Sequence, residues 1–111
     1  MEKPWRITVH HGGEEQPDAP VSKRAAIDRM RSYQSAHFQR GWADIGYHFV
    51  IDGAGRIWEG RLTRWQGAHA GNADLNRGNI GICLMGNYEE RQPSAEQVSA
   101  LRSLLTWLTT E

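Results

Sequence analysis

Five histidines, at positions 10, 11, 37, 48 and 69, stand out in a chain of 111 residues. An imidazole changes charge near neutral pH and serves as acid, base or metal ligand, so the placement of these rings comes first. His10 and His11 close an apolar run. In an extended strand successive side chains point to opposite faces, so only one of them can look into a given cleft. The same alternation is expected to separate Tyr47 from His48. His37 falls in helical step with Ile27, Met30 and Tyr33, where a packed, hydrogen-bonded ring is the expectation. His69 lies between Gly67 and Gly71 in a segment without periodicity, a setting that suits a site or open solvent equally well.

Spacing alone gives no metal site. A catalytic zinc takes three protein ligands and an open position, and the chain has neither HExxH nor CxxC. His10, His69 and a carboxylate would have to be brought together by the fold. Cys83, the single cysteine, sits in an apolar run where a buried, inert thiol is expected, and it leaves no intramolecular disulfide to form. No GxSxG elbow, phosphate loop or paired acids compete for attention.

Five tryptophans offer faces on which a sugar could stack. Trp5 and Trp58 on strands and Trp107 on a helix are expected to be structural, which leaves Trp65 as the candidate ligand contact. Arg61, Arg64 and Arg77 bracket the same segment and could hold an anionic group by charge-assisted hydrogen bonds. Solvated loop arginines are the plain alternative.

The elements that must position these residues follow from punctuation and period. Residues 5–10 read as a buried strand ending at Gly12-Gly13, and residues 13–20 as a loop with two prolines and three acids. Ser22 offers an N-cap for a helix to about Phe38. Residues 47–51 and 56–59 read as a hairpin around Asp52-Gly53-Ala54-Gly55. Residues 61–78 read as a long loop, and residues 79–86 as another buried strand. Ser94 and Gln97 stand in capping-box spacing before a stripe of Val98, Leu101, Leu105 and Leu108. Strands separated by helices predict an α/β layer structure with a mixed central sheet, one domain over residues 1–111. Thirteen Lys and Arg against thirteen Asp and Glu give a net charge of zero, without the basic footprint of a nucleic-acid binder. No apolar N-terminal region or long apolar run suggests a signal peptide or membrane span, so a cytoplasmic protein is expected.

Three stretches carry a resemblance. ITVHHG (7–12), GWADIGYHFVIDGAGRIWEGR (41–61), and GAHA (67–70) followed by NIGICLMGN (79–87) resemble the type-2 N-acetylmuramoyl-L-alanine amidases, which include peptidoglycan recognition proteins and phage lysozyme-type amidases. The resemblance implies a mixed sheet flanked by helices and a cleft for the muramyl-peptide of peptidoglycan. It also implies a zinc-bound water that attacks the lactyl-amide bond. His10 is similar to the family's first zinc ligand, Tyr47 to the tyrosine that assists the water, and His69 to a histidine lining the groove.

The family's second His, and its Cys or Asp, lie on a strand and loop after the last helix. Residues 93–111 contain no His, Cys or Asp, so the resemblance implies a shortened domain that holds no zinc by itself and lacks one sheet strand. Three functions are then expected to compete. The first is a binding protein for a muropeptide or another small anion such as a nucleotide, using His10, Tyr47, His69, Trp65, Arg61, Arg64 and Arg77. The second is a zinc amidase, with Tyr47 catalytic, whose missing ligands come from another chain or a longer product. The third is an interaction module or homo-oligomer that pairs through an open sheet edge.

Overall fold

The computed structural model describes residues 3–14, 18–42 and 44–110. Its centre is the apolar run that forms β4 (Asn79–Leu84), buried at every residue. A strand buried on both faces needs a cover on each, and the neighbouring elements supply them. The others, in chain order, are β1 (Arg6–His11), α1 (Lys23–Gln39), β2 (Phe49–Ile51), β3 (Ile57–Glu59), α2 (Ala73–Asn76) and α3 (Ala95–Thr110). The sheet runs β1-β4-β2-β3, with β1 and β2 parallel to β4 and β3 antiparallel to β2. This is the mixed α/β sheet expected from the sequence. Among the described strands, β1 is paired on one side only.

Alternation along the strands sorts two cores. On one face Phe49, Ile51, Ile80, Ile82 and Leu84 pack with Leu104, and the stripe Leu101, Leu105 and Leu108 of α3 lies against them. On the other, Val50, Cys83 and Met85 pack with Ala26, Met30 and Tyr33 of α1. Each fully buried aliphatic side chain contributes roughly 1.5–3 kcal/mol. The buried line of α1 runs through Ala26 and His37, and Ile27 is only half-buried.

Local chemistry fixes the ends. The Ser22 hydroxyl accepts from Ala25 N–H at 3.1 Å. The capping box of α3 closes with Gln97 N–H on Ser94 Oγ at 3.0 Å and Ser94 N–H on Gln97 Oε1 at 3.2 Å. Gln97 also donates to the carbonyls of Ile51 at 3.2 Å and Met85 at 3.0 Å, which docks α3 onto the ends of β2 and β4. The hairpin turns on Asp52, whose side chain is wholly buried. Its carboxylate accepts from Ala54 N–H at 3.0 Å, Arg56 N–H at 2.9 Å, Arg56 Nη1 at 3.2 Å and Trp58 Nε1 at 3.0 Å. Gly55 takes φ +88° there, a conformation that glycine adopts without strain.

Three expectations are corrected. The loop 61–78 contains one helical turn, α2, capped by Asn72, which accepts from Leu75 N–H at 2.9 Å. Trp5 precedes β1 rather than lying in it, and is 64% exposed beneath the Arg6 guanidinium. Trp107 meets Phe49 edge-on yet is 53% exposed, so neither ring is a core residue. Trp58 does have a structural role, as the indole donor to Asp52.

Candidate functional site

Register builds the site. His10 stands beside Cys83, and Cys83 beside Val50, so the three form one row on the α1 face. Thr8 stands beside Gly81 one step earlier. His11 points the other way and packs on Tyr88, as strand alternation requires. Strand β2 begins only at Phe49, so alternation does not govern Tyr47 and His48. Tyr47 packs with the α1-face core, whereas the His48 ring lies 6.0 Å from His69 and the residue lines a groove with Ile7, Phe49 and Ile80.

His69 is placed by small residues around it. An added Cβ at Gly81 would lie 2.5 Å from the His69 ring, and one at Gly67 would lie 2.6 Å from it. Only glycine lets the ring approach both backbones this closely. Asn76 then accepts from the backbone N–H groups of His69 at 3.0 Å and Ala70 at 2.9 Å, holding the loop in place. The result brings together the three residues named from the resemblance. His10 and His69 rings lie 5.1 Å apart, His10 and Tyr47 5.9 Å apart.

Hydrogen-bond directions fix several tautomers. Gly81 N–H donates to His48 Nδ1 at 3.0 Å, so His48 carries its proton on Nε2, which donates to the Trp65 carbonyl at 2.8 Å. Gly46 N–H donates to His37 Nδ1 at 2.8 Å, and His37 is buried as expected. His69 Nε2 lies 3.1 Å from the Asn79 carbonyl, and His69 Nδ1 lies 2.9 Å from His10 Nε2.

Electrostatics keep this region neutral. Burial, then the charges of His69 and His11, lower the His10 pKa. Burial lowers His69 and His48 as well, against the opposing pull of their carbonyl partners. Burial and the neighbouring Cys83 thiol push the Tyr47 phenol up, so it remains a hydroxyl at neutral pH. Burial pushes the Cys83 thiol up to about 12. His10, His69 and Tyr47 thus present polar, uncharged groups suited to hydrogen bonding.

Glu14, which the sequence shows only as one acid of a polar loop, has a structural role beside the site. It accepts from the Tyr33 hydroxyl, from Arg29 at 2.8 Å and from Gly86 N–H at 2.9 Å. It ties the segment after β1 to α1 and to the end of β4, and Tyr33 meets Tyr47 edge-on. One of three acids in a polar loop gives no sequence signal of such a role.

The arginine and tryptophan candidates have other engagements. Arg61 donates to the carbonyls of Ile45 at 3.0 Å, Gln66 at 2.6 Å and Asp44 at 3.0 Å, which braces the loop. Arg77 pairs with Asp74 at 2.7 Å. The Arg64 guanidinium lies 5.6 Å from the centre of the exposed Trp65 ring. Trp65 meets His48 through its backbone carbonyl. A groove of about 740 Å³ lies between Trp5, Ile7, Phe49, Leu62 and Trp107, and His48 and Arg61 also line it.

The donor set can be tested against the zinc of the resemblance. Both His69 nitrogens are engaged, and Cys83 is fully buried with its thiol held protonated. Among the described residues no group of three or more His, Cys, Asp or Glu could hold a metal ion. A catalytic zinc takes three protein ligands, so these residues by themselves do not fit one.

Comparison with known proteins places this geometry. A family model described as N-acetylmuramoyl-L-alanine amidase matches residues 1–111. Peptidoglycan-recognition protein SC2 of Drosophila simulans is 41% identical over 86 residues, covering 77% of this chain and 46% of that protein. The crystal structure of Drosophila peptidoglycan recognition protein SD superposes with a TM-score of 0.86 at 32% identity, covering 98% of this chain and 62% of that one. A structure of tracheal cytotoxin bound to the ectodomain complex of peptidoglycan recognition proteins LCa and LCx superposes with a TM-score of 0.81 at 33% identity, covering 92% and 59%. The chain spans about half the length of the curated relatives it matches.

Proposed function

The chain belongs to the N-acetylmuramoyl-L-alanine amidase family, and from that premise we propose that it binds a muropeptide in the cleft formed by His10, Tyr47 and His69. The observation that carries this is the convergence of those three residues on one face of the sheet, two of them hydrogen-bonded to each other at 2.9 Å. Their neutral rings and hydroxyl match the amides and hydroxyls of a peptidyl-sugar. The related complex that holds tracheal cytotoxin, a muropeptide, supports the same ligand class. The exposed Trp65 ring offers an apolar face for a sugar. Binding is favoured over hydrolysis because three zinc donors do not converge among the described residues.

Calorimetric titration with a monomeric muropeptide, N-acetylmuramoyl-L-alanyl-D-isoglutamine, tests this, with inorganic phosphate and a nucleotide as comparators. Saturable one-to-one binding that weakens about tenfold in His10→Ala is expected, the worth of one lost hydrogen bond near the upper end of the usual range. Binding of the nucleotide but not the muropeptide would refute the ligand class. A second reading, a zinc amidase completed by donors from outside the described residues, is favoured by the family model and by the His10 nitrogen that has no partner among the described residues. Stoichiometric zinc together with release of the stem peptide from peptidoglycan would establish that reading instead.

A further inference from the structure

The direction of the hydrogen bonds around His69 has consequences for the chemistry of the cleft. The Asn79 carbonyl can only accept, so His69 carries its proton on Nε2 and presents a lone pair at Nδ1. That lone pair faces His10 Nε2 at 2.9 Å, and between two neutral rings the single shared proton must then sit on His10. His10 Nδ1 is left as a lone pair. It has no protein partner and is not sealed from solvent among the described residues. The other two half-satisfied histidines are of the opposite kind. His37 and His11 each accept a backbone N–H at Nδ1, from Gly46 at 2.8 Å and from Tyr88 at 2.9 Å, so their remaining nitrogens are donors.

We propose that His69 is a positioning residue that locks His10 with its Nδ1 lone pair toward the cleft. This end of the site then takes a hydrogen-bond donor, an amide N–H or hydroxyl, in preference to a carboxylate or phosphate. The lock has a fixed origin in the backbone, since the Asn79 carbonyl belongs to β4 and cannot reverse its role. Asn76 holds the His69 backbone and Gly81 makes room for its ring, so the relay is built by the fold rather than by a chance side-chain contact. The donor preference rests on the muropeptide reading above, whereas the lock itself does not.

Nitrogen-15 NMR of the ring-labelled, ligand-free protein at about pH 8, above the ordinary histidine pKa, tests the lock without any variant. A coupling across the hydrogen bond between His10 Nε2 and His69 Nδ1 is expected, with His10 Nδ1 unprotonated. A proton on His10 Nδ1, or no coupling, would overturn it. His69→Leu removes the acceptor, so His10 should become a mixture of tautomers and lose about tenfold in muropeptide affinity. His69→Gln supplies one carbonyl toward His10 and one N–H toward Asn79, and should restore the single tautomer and most of that affinity. An unchanged His10 spectrum in the Leu variant refutes the positioning role.

Titration of the wild-type protein then separates the two claims. N-acetylmuramoyl-L-alanyl-D-isoglutamine should move the His10 Nδ1 resonance and inorganic phosphate should not. Phosphate acting equally well refutes the donor preference. Failure of the muropeptide to bind while the coupling is present refutes the muropeptide reading and upholds the lock.

Discussion

Replacing Gly81 by Ala would place a methyl group where the His69 ring now rests. The added Cβ would meet the ring atoms Cδ2, Cγ and Nδ1 at 2.5, 2.6 and 2.8 Å, against ordinary contacts of 3.4–4 Å. The ring must therefore retreat by about 0.9 Å, and it is packed against Gly67 as well. A shift of that size takes the 2.9 Å bond to His10 and the 3.1 Å bond to Asn79 out of good geometry. Overpacking of this kind costs about 1–3 kcal/mol, or roughly 4–12 °C in melting temperature for a domain of this size. Muropeptide affinity should fall about tenfold at the same time through loss of the oriented His10. Ile82→Val provides the control. It lies on the same strand but faces α3, and should cost about 0.5–1.5 kcal/mol without changing affinity. Circular dichroism melts and calorimetric titrations of the two variants read both effects. A Gly81→Ala protein with wild-type affinity and an intact His10–His69 coupling would refute the reasoning.

Other perturbations address different parts of the molecule. Tyr47→Phe should leave the melting temperature nearly unchanged while weakening muropeptide binding about three- to tenfold, as expected for one hydroxyl; equal affinity would remove Tyr47 from the site. Asp52→Ala strips the acceptor from three backbone and indole donors and from Arg56, and should cost about 3–5 kcal/mol in urea unfolding; a loss below about 1 kcal/mol would refute the assigned role. Burial holds the pKa values of His37 and His48 below 6.5 in the folded chain. The unfolded chain therefore binds more protons below pH 6.5, so their stabilisation is complete above that pH and is lost as pH falls toward the depressed values. Urea midpoints that do not fall between about pH 7.5 and pH 5 would contradict this.

Much of the fold was legible in the sequence because its elements are locally signalled. Ser94 and Gln97 announce the start of α3, and the leucine stripe states which face it buries. The turn at Asp52 was readable as a hairpin, though nothing in the sequence showed its carboxylate gathering four donors. The site was less legible for a geometric reason. His10 and His69 are 59 positions apart, and only the parallel pairing of β1 with β4 brings His69, lying over Gly81, beside His10. Strand alternation could not carry the split of Tyr47 from His48, because β2 starts at Phe49, two residues later than its composition suggests. The spacing lets Arg61 hold an anion or lie in solvent, whereas the loop uses its guanidinium to collect carbonyls. The exposure of Trp5 and Trp107 is a tertiary fact that hydrophobicity alone does not carry.

The most direct test of the central claim is a map of where a muropeptide binds, because a groove of about 740 Å³ is lined by His48 and Arg61 but not by His10, Tyr47 or His69. Titration of the labelled protein with N-acetylmuramoyl-L-alanyl-D-isoglutamine, followed by NMR, should shift His10, Tyr47 and His69 together with a single dissociation constant. Shifts confined to Trp5, Leu62 and Trp107, or no saturable shift at all, would contradict the assignment of the cleft.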